Sequence, residues 1–380
     1  MARLRVRRAA QPLTDRWAQV PVAPRGATRL GISFRPLQAA ELGLDPQAAL
    51  GQLLAYPFPL IRLAAYWCRI EPGPGTFCPA ELDRQIDAAE RAGKQVIVCV
   101  GPVKAFGYPE FFVPPHHLPR PLPERRLITP ASHPALLAAS CAFATRLVER
   151  YRDRLAIIAW QVEHEAADPL GMEHSWRLSR EFVQNEVTAV RVADPSRPVL
   201  MNGFLPASGP VALQQWWRTR DQGDSLAVAG DLADIVGIDF YPRHALAGAG
   251  PVSAYLDGSP DRQWPRRRRY PRPGPVLDQV AAAARRLMIS EGQAEPWEAV
   301  TTPPSPDRQA MYSCRPEDVI ATYSQCLGWA GRQRPVIECY LFWGAEYWLA
   351  RERQGDPRYL RAFGRVLAES GSVSGSAPGS

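Results

Sequence analysis

The chain has 380 residues, 46% of them hydrophobic, enough for one large α/β domain or two smaller ones. Its formal net charge of +7 is carried almost wholly by arginine, since Lys94 and Lys104 are the only lysines, and with abundant Ala and Pro this reads as compositional bias. No run approaches the ~18 apolar residues of a membrane span, and the basic N-terminus lacks the apolar core of a signal peptide.

In chain order, residues 1–27 read as an N-terminal extension, 28–368 as a single α/β domain and 369–380 as a disordered Ser/Gly-rich tail. Within the domain, apolar runs alternate with amphipathic stretches. Strand-like runs fall at 29–34, 60–67, 95–101 and 155–162, then at 198–204, 234–241, 286–291 and 337–343. They are apolar on both faces, as parallel strands covered by helices are. Helical signals separate them. "DPQAALGQLLAY" starts at an Asp N-cap with Pro at the first position. "CPAELDRQIDAAERAGK" ends at Gly93. "HPALLAASCAFATRLVERYRDR" precedes the fourth strand, and similar patterns recur up to "DPRYLRAFGRVLAES". The stretch between strands five and six is helical but less regular.

Eight βα units predict a (β/α)₈ TIM barrel with long loops after strands 3 and 6. Both loops are too Pro-rich for regular structure and leave the C-terminal strand ends, where such barrels carry their sites. The seven cysteines are scattered, without a C-x-x-C pair or zinc-finger spacing. Free thiols and a reducing, cytoplasmic setting are expected.

Strand four runs from hydrocarbon into charge: "IIAWQVEHEAADPLG" ends in Glu163, His164 and Glu165. A buried strand that ends in carboxylates is costly unless its end opens into a wet cleft. Strand seven ends the same way, in "LMISEGQAEPW", with Glu291 and then Glu295. In a closed barrel the two mouths face one pocket, and two facing carboxylates are what glycoside hydrolysis requires.

"WQVEHE" resembles the W-x-x-x-N-E pattern of the clan A retaining glycosidases, which include the cellulase-like family 5 and the β-galactosidase family 42. "ISEGQAEPW" is similar to that clan's strand-seven segment, "YLFWGAEYW" to its strand-eight Trp, and "IRLAAYWCRIEPGPGTF" to its strand-two segment. The resemblance spans about residues 28–365. It implies a retaining β-glycosidase acting on a carbohydrate, with Glu165 as general acid/base, Glu291 as nucleophile and Glu295 as the second choice for nucleophile. It further implies that Arg62 orients Glu291, that Tyr241 hydrogen-bonds it, and that Trp343 forms the apolar floor for the sugar. The clan's Asn before the acid/base is His164 here, at the position that normally contacts the sugar 2-hydroxyl. That departure leaves a non-catalytic carbohydrate-binding barrel as the alternative.

Trp67 is a candidate sugar subsite and Asn202 a candidate sugar contact. Glu163 reads as structural, bonded to backbone or Arg beneath the pocket, and Tyr347 and Trp348 as packing residues. Lys104 and Glu110 lie in the strand-three loop that could shape the groove. His116 and His117 invite a metal reading, but no acidic or Cys ligand stands at useful spacing, so no metal or cofactor is expected. The run Arg266–Arg269 reads as a solvated loop rather than a nucleic-acid site, because no nucleic-acid-binding fold surrounds it.

Overall fold

The computed structural model describes residues 3–371 except 9, 13–14, 108–109, 119, 124–125, 169–175, 250–251, 258–273, 284, 297–308, 312 and 330–335. Eight strands close into an all-parallel barrel: β1 (Arg29–Ser33), β2 (Leu60–Ala64), β3 (Gln95–Cys99), β4 (Ile157–Gln161), β5 (Val199–Leu205), β6 (Ile235–Phe240), β7 (Arg286–Gln293) and β8 (Ile337–Trp343). They follow one another round the barrel, with β8 returning to β1. Every run read as a strand in the sequence supplies one.

Helices cover the outside: α1 (Pro46–Leu54), α2 (Ala80–Arg91), α3 (Pro134–Tyr151), α4 (Arg180–Ala193), α5 (Ser225–Leu232), α6 (Gly274–Ala282), α7 (Pro316–Leu327) and α8 (Arg358–Glu369). Asp45 caps α1 by accepting from Ala48 N–H at 2.7 Å, with Pro46 at its start. Ser179 and Asp224 cap α4 and α5 in the same way. The irregular stretch after β5 holds two helices, Gly209–Thr219 and α5. Among the described residues no helix is long and apolar enough to cross a membrane.

Two expectations need correction. The strand-six loop is not without regular structure: Arg243–Ala249 and Val252–Asp257 form an antiparallel pair, and Arg3–Arg8 of the N-terminal extension adds a third strand. Both loop segments are free of proline, which stands only at their flanks (Pro242, Pro251, Pro260), so ladder donors remain. The second run ends early, at Ala64, and Trp67–Ile70 turns into a short helix. The Arg266–Arg269 run lies outside the described residues.

The two-residue period of the strands sorts their side chains. On β2, Ile61 and Leu63 pack toward the helices, while Leu60 joins the barrel floor and Ala64 the mouth. Arg62, between them, therefore points into the barrel. On β6, Val236, Ile238 and Phe240 face the helices, which turns Asp239 and the following Tyr241 inward.

β7 breaks this rule. Leu287 and Ile289 face the helices and Met288 the interior, so strict alternation would send Glu291 outward. The register slips instead: Ile238 pairs with Ile289, but Asp239 pairs with Glu291. Ser290 is the extra residue of a bulge, and both Ser290 and Glu291 present their side chains to the mouth. Gly292 makes room for this. A Cβ there would lie 1.9 Å from the hydroxyl of buried Tyr340 on β8. Gly292→Ala is expected to cost about 1–3 kcal/mol by overpacking and so to lower Tm by a few degrees. Thermal denaturation followed by circular dichroism checks this, and a Tm equal to wild type would contradict the close approach.

Candidate active site

Glu291 is held from both sides. Arg62 donates to its Oε1 and the Tyr241 hydroxyl to its Oε2. Arg62 is fully buried, with its guanidinium 3.9 Å from the centre of the Phe106 ring. Burial pushes Glu291 above the usual carboxylate range, while Arg62 and then Tyr241 work against that shift. Burial and Glu291 both raise Tyr241, which keeps its proton to donate.

Glu165 reaches the same space from β4. Glu163 and Glu165 both have left-handed backbones, φ 57° and 43°, a conformation costing roughly 1–3 kcal/mol for a residue with a side chain. The turn is fastened at each peptide. Gln161 Nε2 donates to the Glu163 carbonyl (2.9 Å), and His164 N–H to the Lys104 carbonyl (2.9 Å). Lys104 Nζ donates to the Glu165 carbonyl (2.6 Å). Buried Lys104 therefore orients the turn rather than shaping an open groove.

The sequence reading missed a third carboxyl, Asp239. It accepts from Asn202 Nδ2 at 2.5 Å and from Ser290 at 2.7 Å, and it hydrogen-bonds Glu165. Two carboxyls in hydrogen-bond contact share one proton. Burial, then Glu291, also raises Asp239 well above its ordinary range, and its two outside donors favour placing the shared proton on Glu165. Burial, then Asp239, raises Glu165 well above the ordinary range. His164, Asp239 and Glu291 each bring an atom within 4.8 Å of the others', so Glu165 and Glu291 are linked through Asp239 in one cluster. The signal for Asp239 was present in its spacing, two residues before Tyr241 on one strand face.

His164 is neutral, because burial first, then Arg62 and Lys104, depress it. Its tautomer follows from its neighbours. Arg62 faces Gln161 Oε1 (3.5 Å), so Gln161 Nε2 donates to Asn202 Oδ1 (3.0 Å), which also accepts from Glu165 N–H (3.4 Å). Asn202 Nδ2 must then donate to Asp239 and to His164 Nδ1 (2.9 Å). His164 Nδ1 is an acceptor and Nε2 carries the hydrogen. Asn202 has no capacity left for a sugar. It is a positioning residue, which corrects its reading as a sugar contact.

Trp67 is also corrected. Because β2 ends at Ala64, Trp67 packs into the outer core against Phe143 at 5.4 Å. Tyr66, beside it, belongs to the mouth cluster with Phe106, Phe112, Tyr241 and Trp343. Trp343 lies in the mouth as expected, 4.2 Å from the Arg35 guanidinium. Arg35 was also missed. It binds both oxygens of Glu295 (2.7 and 2.8 Å) as well as Glu346. Glu295 is therefore the partner of Arg35, whereas Glu291 is held by Arg62 and Tyr241. Trp348 donates to the Ala294 carbonyl within the core, and Tyr347 is buried.

Glu163 lies beneath the turn, as read. It accepts from the N–H groups of Val103 (3.1 Å) and Lys104 (2.6 Å), and from the carboxyl of buried Glu186. Burial is the main cause that pushes Glu163 up to about 7, against those donors. Glu186 is raised well above its ordinary value by burial, then by Glu163. Folded values above the unfolded one mean that the pair's stabilisation is complete below the ordinary glutamate pKa and is lost as pH rises through about 7. Wild-type Tm should fall from about pH 5 to 8, and less steeply in Glu186→Gln, whose amide still donates but cannot ionise. Equal slopes in a thermal-melt pH series would contradict the shared proton.

Residues 59–185 match the glycoside hydrolase family 42 model, described as beta-galactosidase. That span runs from β2 into α4 and includes Arg62 and Glu165. A comparison with curated proteins returns no significant match. Among solved structures, GH5_18 from Streptomyces cattleya in complex with Manb1-4GlcNAc is 16% identical with a TM-score of 0.57, over 90% of this chain and 80% of that one. The same protein with GlcNAc gives 14% and 0.53, over 92% and 82%. Xylanase 10B from Thermotoga maritima gives 13% and 0.50, over 85% and 86%. The fold is shared with these proteins: the chain carries a (β/α)₈ barrel, and the family 42 match covers residues 59–185 of it.

Proposed function

We propose that the protein is a retaining β-glycosidase that hydrolyses small β-glycosides or oligosaccharides by double displacement. One observation carries the reading: a carboxylate held by Arg62 and Tyr241 shares a buried cluster with a second carboxyl whose burial and charged neighbours favour its protonated form. In the first step Glu291 Oε attacks the anomeric carbon. The glycosidic C–O bond breaks, and the Glu165 proton passes to the departing oxygen. Glu165, now ionised, then takes a proton from water, whose oxygen attacks the same carbon and releases Glu291. Retention calls for carboxyl groups roughly 5–5.5 Å apart.

The surroundings support this division of labour. Burial and Asp239 hold the proton on Glu165, as an acid at neutral pH needs. The Tyr241 hydrogen bond and the Arg62 charge aim the nucleophile. His164, with its hydrogen on Nε2, takes the position of the clan's Asn as a neutral donor to the sugar, and Trp343 offers the apolar face. The family description favours a β-galactoside, and the ligand in the Streptomyces cattleya structure adds a β-mannoside. A β-glucoside completes the panel. Seven scattered cysteines suit the reducing cytoplasm, where we place the enzyme.

Turnover of a panel of aryl β-glycosides tests the reading. Glu291→Ala should abolish it, and Glu165→Ala should lower it by about 10²–10⁴-fold for poor leaving groups. Sugar binding without cleavage of any member would leave a carbohydrate-binding barrel instead. A second test concerns Asp239. The alkaline limb of kcat/KM reports loss of the Glu165 proton. Asp239→Asn removes the negative charge that helps raise Glu165, so that limb should move to lower pH. An unmoved limb would remove Asp239 from the proton-holding role.

A further inference from the structure

The metal reading of His116 and His117 was set aside because no third ligand stood near them in sequence. The fold supplies one. Glu71 follows the short helix Trp67–Ile70, and the turn Pro115–His117 lies in the strand-three loop. The two segments meet so that His116 Nε2 lies 3.0 Å and His117 Nε2 2.9 Å from one oxygen, Glu71 Oε1. The other oxygen, Oε2, accepts from Trp67 Nε1 at 2.7 Å.

We propose that Glu71, His116 and His117 form a site for a zinc-class divalent transition-metal ion, separate from the glycosidase centre. Two imidazoles and a carboxylate are the donor set that such ions select. Hydrogen bonding alone would be served as well by one histidine on each carboxylate oxygen. Here both ring nitrogens converge on a single point, and the second oxygen is held by an outer partner. That is how metal ligands are fixed in orientation. The Trp67 ring also packs on His117, centroids 4.7 Å apart, and the two imidazoles lie 4.3 Å apart. The three side chains are 18–22% exposed, which leaves a fourth position open to water. The two histidine-to-carboxylate distances lie within a few tenths of an ångström of the spacing between tetrahedral zinc ligands with bonds of about 2.0–2.2 Å, and all three ligand atoms lie within 4.8 Å of one another.

Such an ion would tie the segment after β2 to the loop after β3. The two already share a backbone bond, Cys68 N–H to the Phe112 carbonyl at 2.8 Å. Phe112 contributes to the mouth cluster, so the ion would brace one wall of the mouth without entering it.

The full-length protein, stripped with a chelator, is titrated with Zn²⁺ by calorimetry and with Co²⁺ by absorption. We expect one equivalent to bind, without a sulfur-to-cobalt charge-transfer band. His116→Ala, His117→Ala and Glu71→Gln should each weaken binding by roughly tenfold or more, and Trp67→Phe, which removes the outer hydrogen bond and trims the ring packed on His117, by about 10–100-fold. Circular dichroism confirms that each variant is folded. Affinity should fall at acid pH, because protons compete for the same nitrogens. No saturable binding, a thiolate signature in the Co²⁺ spectrum, or affinity unchanged in both histidine variants would overturn the site.

Discussion

A guanidinium and a carboxylate buried together inside a barrel set the terms for everything around them. Arg62 has no exposed surface and Glu291 almost none, so neither charge has water to fall back on. Removing ions from water costs several kcal/mol each, and only mutual attraction with further hydrogen bonds offsets that cost. The Arg62–Glu291 pair is sited where the offset is available. Tyr241 takes the second carboxylate oxygen, Phe106 covers the guanidinium face, and Gln161 extends toward its edge. From Gln161 the network continues through Asn202 to His164 and Asp239. The Arg62–Tyr241 clamp on Glu291 and the Glu165 carboxyl are therefore two ends of one hydrogen-bonded chain.

That chain explains how three carboxyls coexist in so small a volume. Among the described residues Arg62 is the one cation paired with Glu291, so full ionisation of Glu165, Asp239 and Glu291 would leave uncompensated buried charge. A proton shared by Glu165 and Asp239 relieves this, and the donors on Asp239 decide which member holds it. A neutral His164 adds no charge and keeps one donor for a ligand. Beneath the turn, Glu163 and Glu186 repeat the arrangement, two carboxyls with one proton. The left-handed turn that carries Glu165 thus rests on a second protonated pair.

Much of this was legible in the residues. Apolar runs marked all eight strands, and the carboxylates that close β4 and β7 marked the two halves of the site. Arg62 was recognisable because a guanidinium inside an apolar strand must find a carboxylate. What escaped has physical causes. The bulge at Ser290 cannot be read from periodicity, and without it Glu291 would face the helices. Trp67 was placed in the mouth because its run was taken as strand throughout, while the chain turns into a helix after Ala64. Asn202 looked free to meet a sugar because its four hydrogen-bonding partners come from two other strands and the turn after β4. Glu71 and the His116–His117 pair lie 45 and 46 residues apart, a separation at which spacing carries no information and only the fold brings ligands together.

The central claim is that Glu291 attacks the sugar while Glu165 delivers the proton. Incubation with an activated 2-deoxy-2-fluoro-glycoside, followed by proteolysis and mass spectrometry, tests it most directly, because the fluorine slows release of a glycosyl-enzyme. The account predicts a single fluorosugar on the peptide that contains Glu291, attached at that residue. A label on Glu295 or Glu165, or steady turnover of natural glycosides with no covalent adduct at any carboxylate, would contradict it.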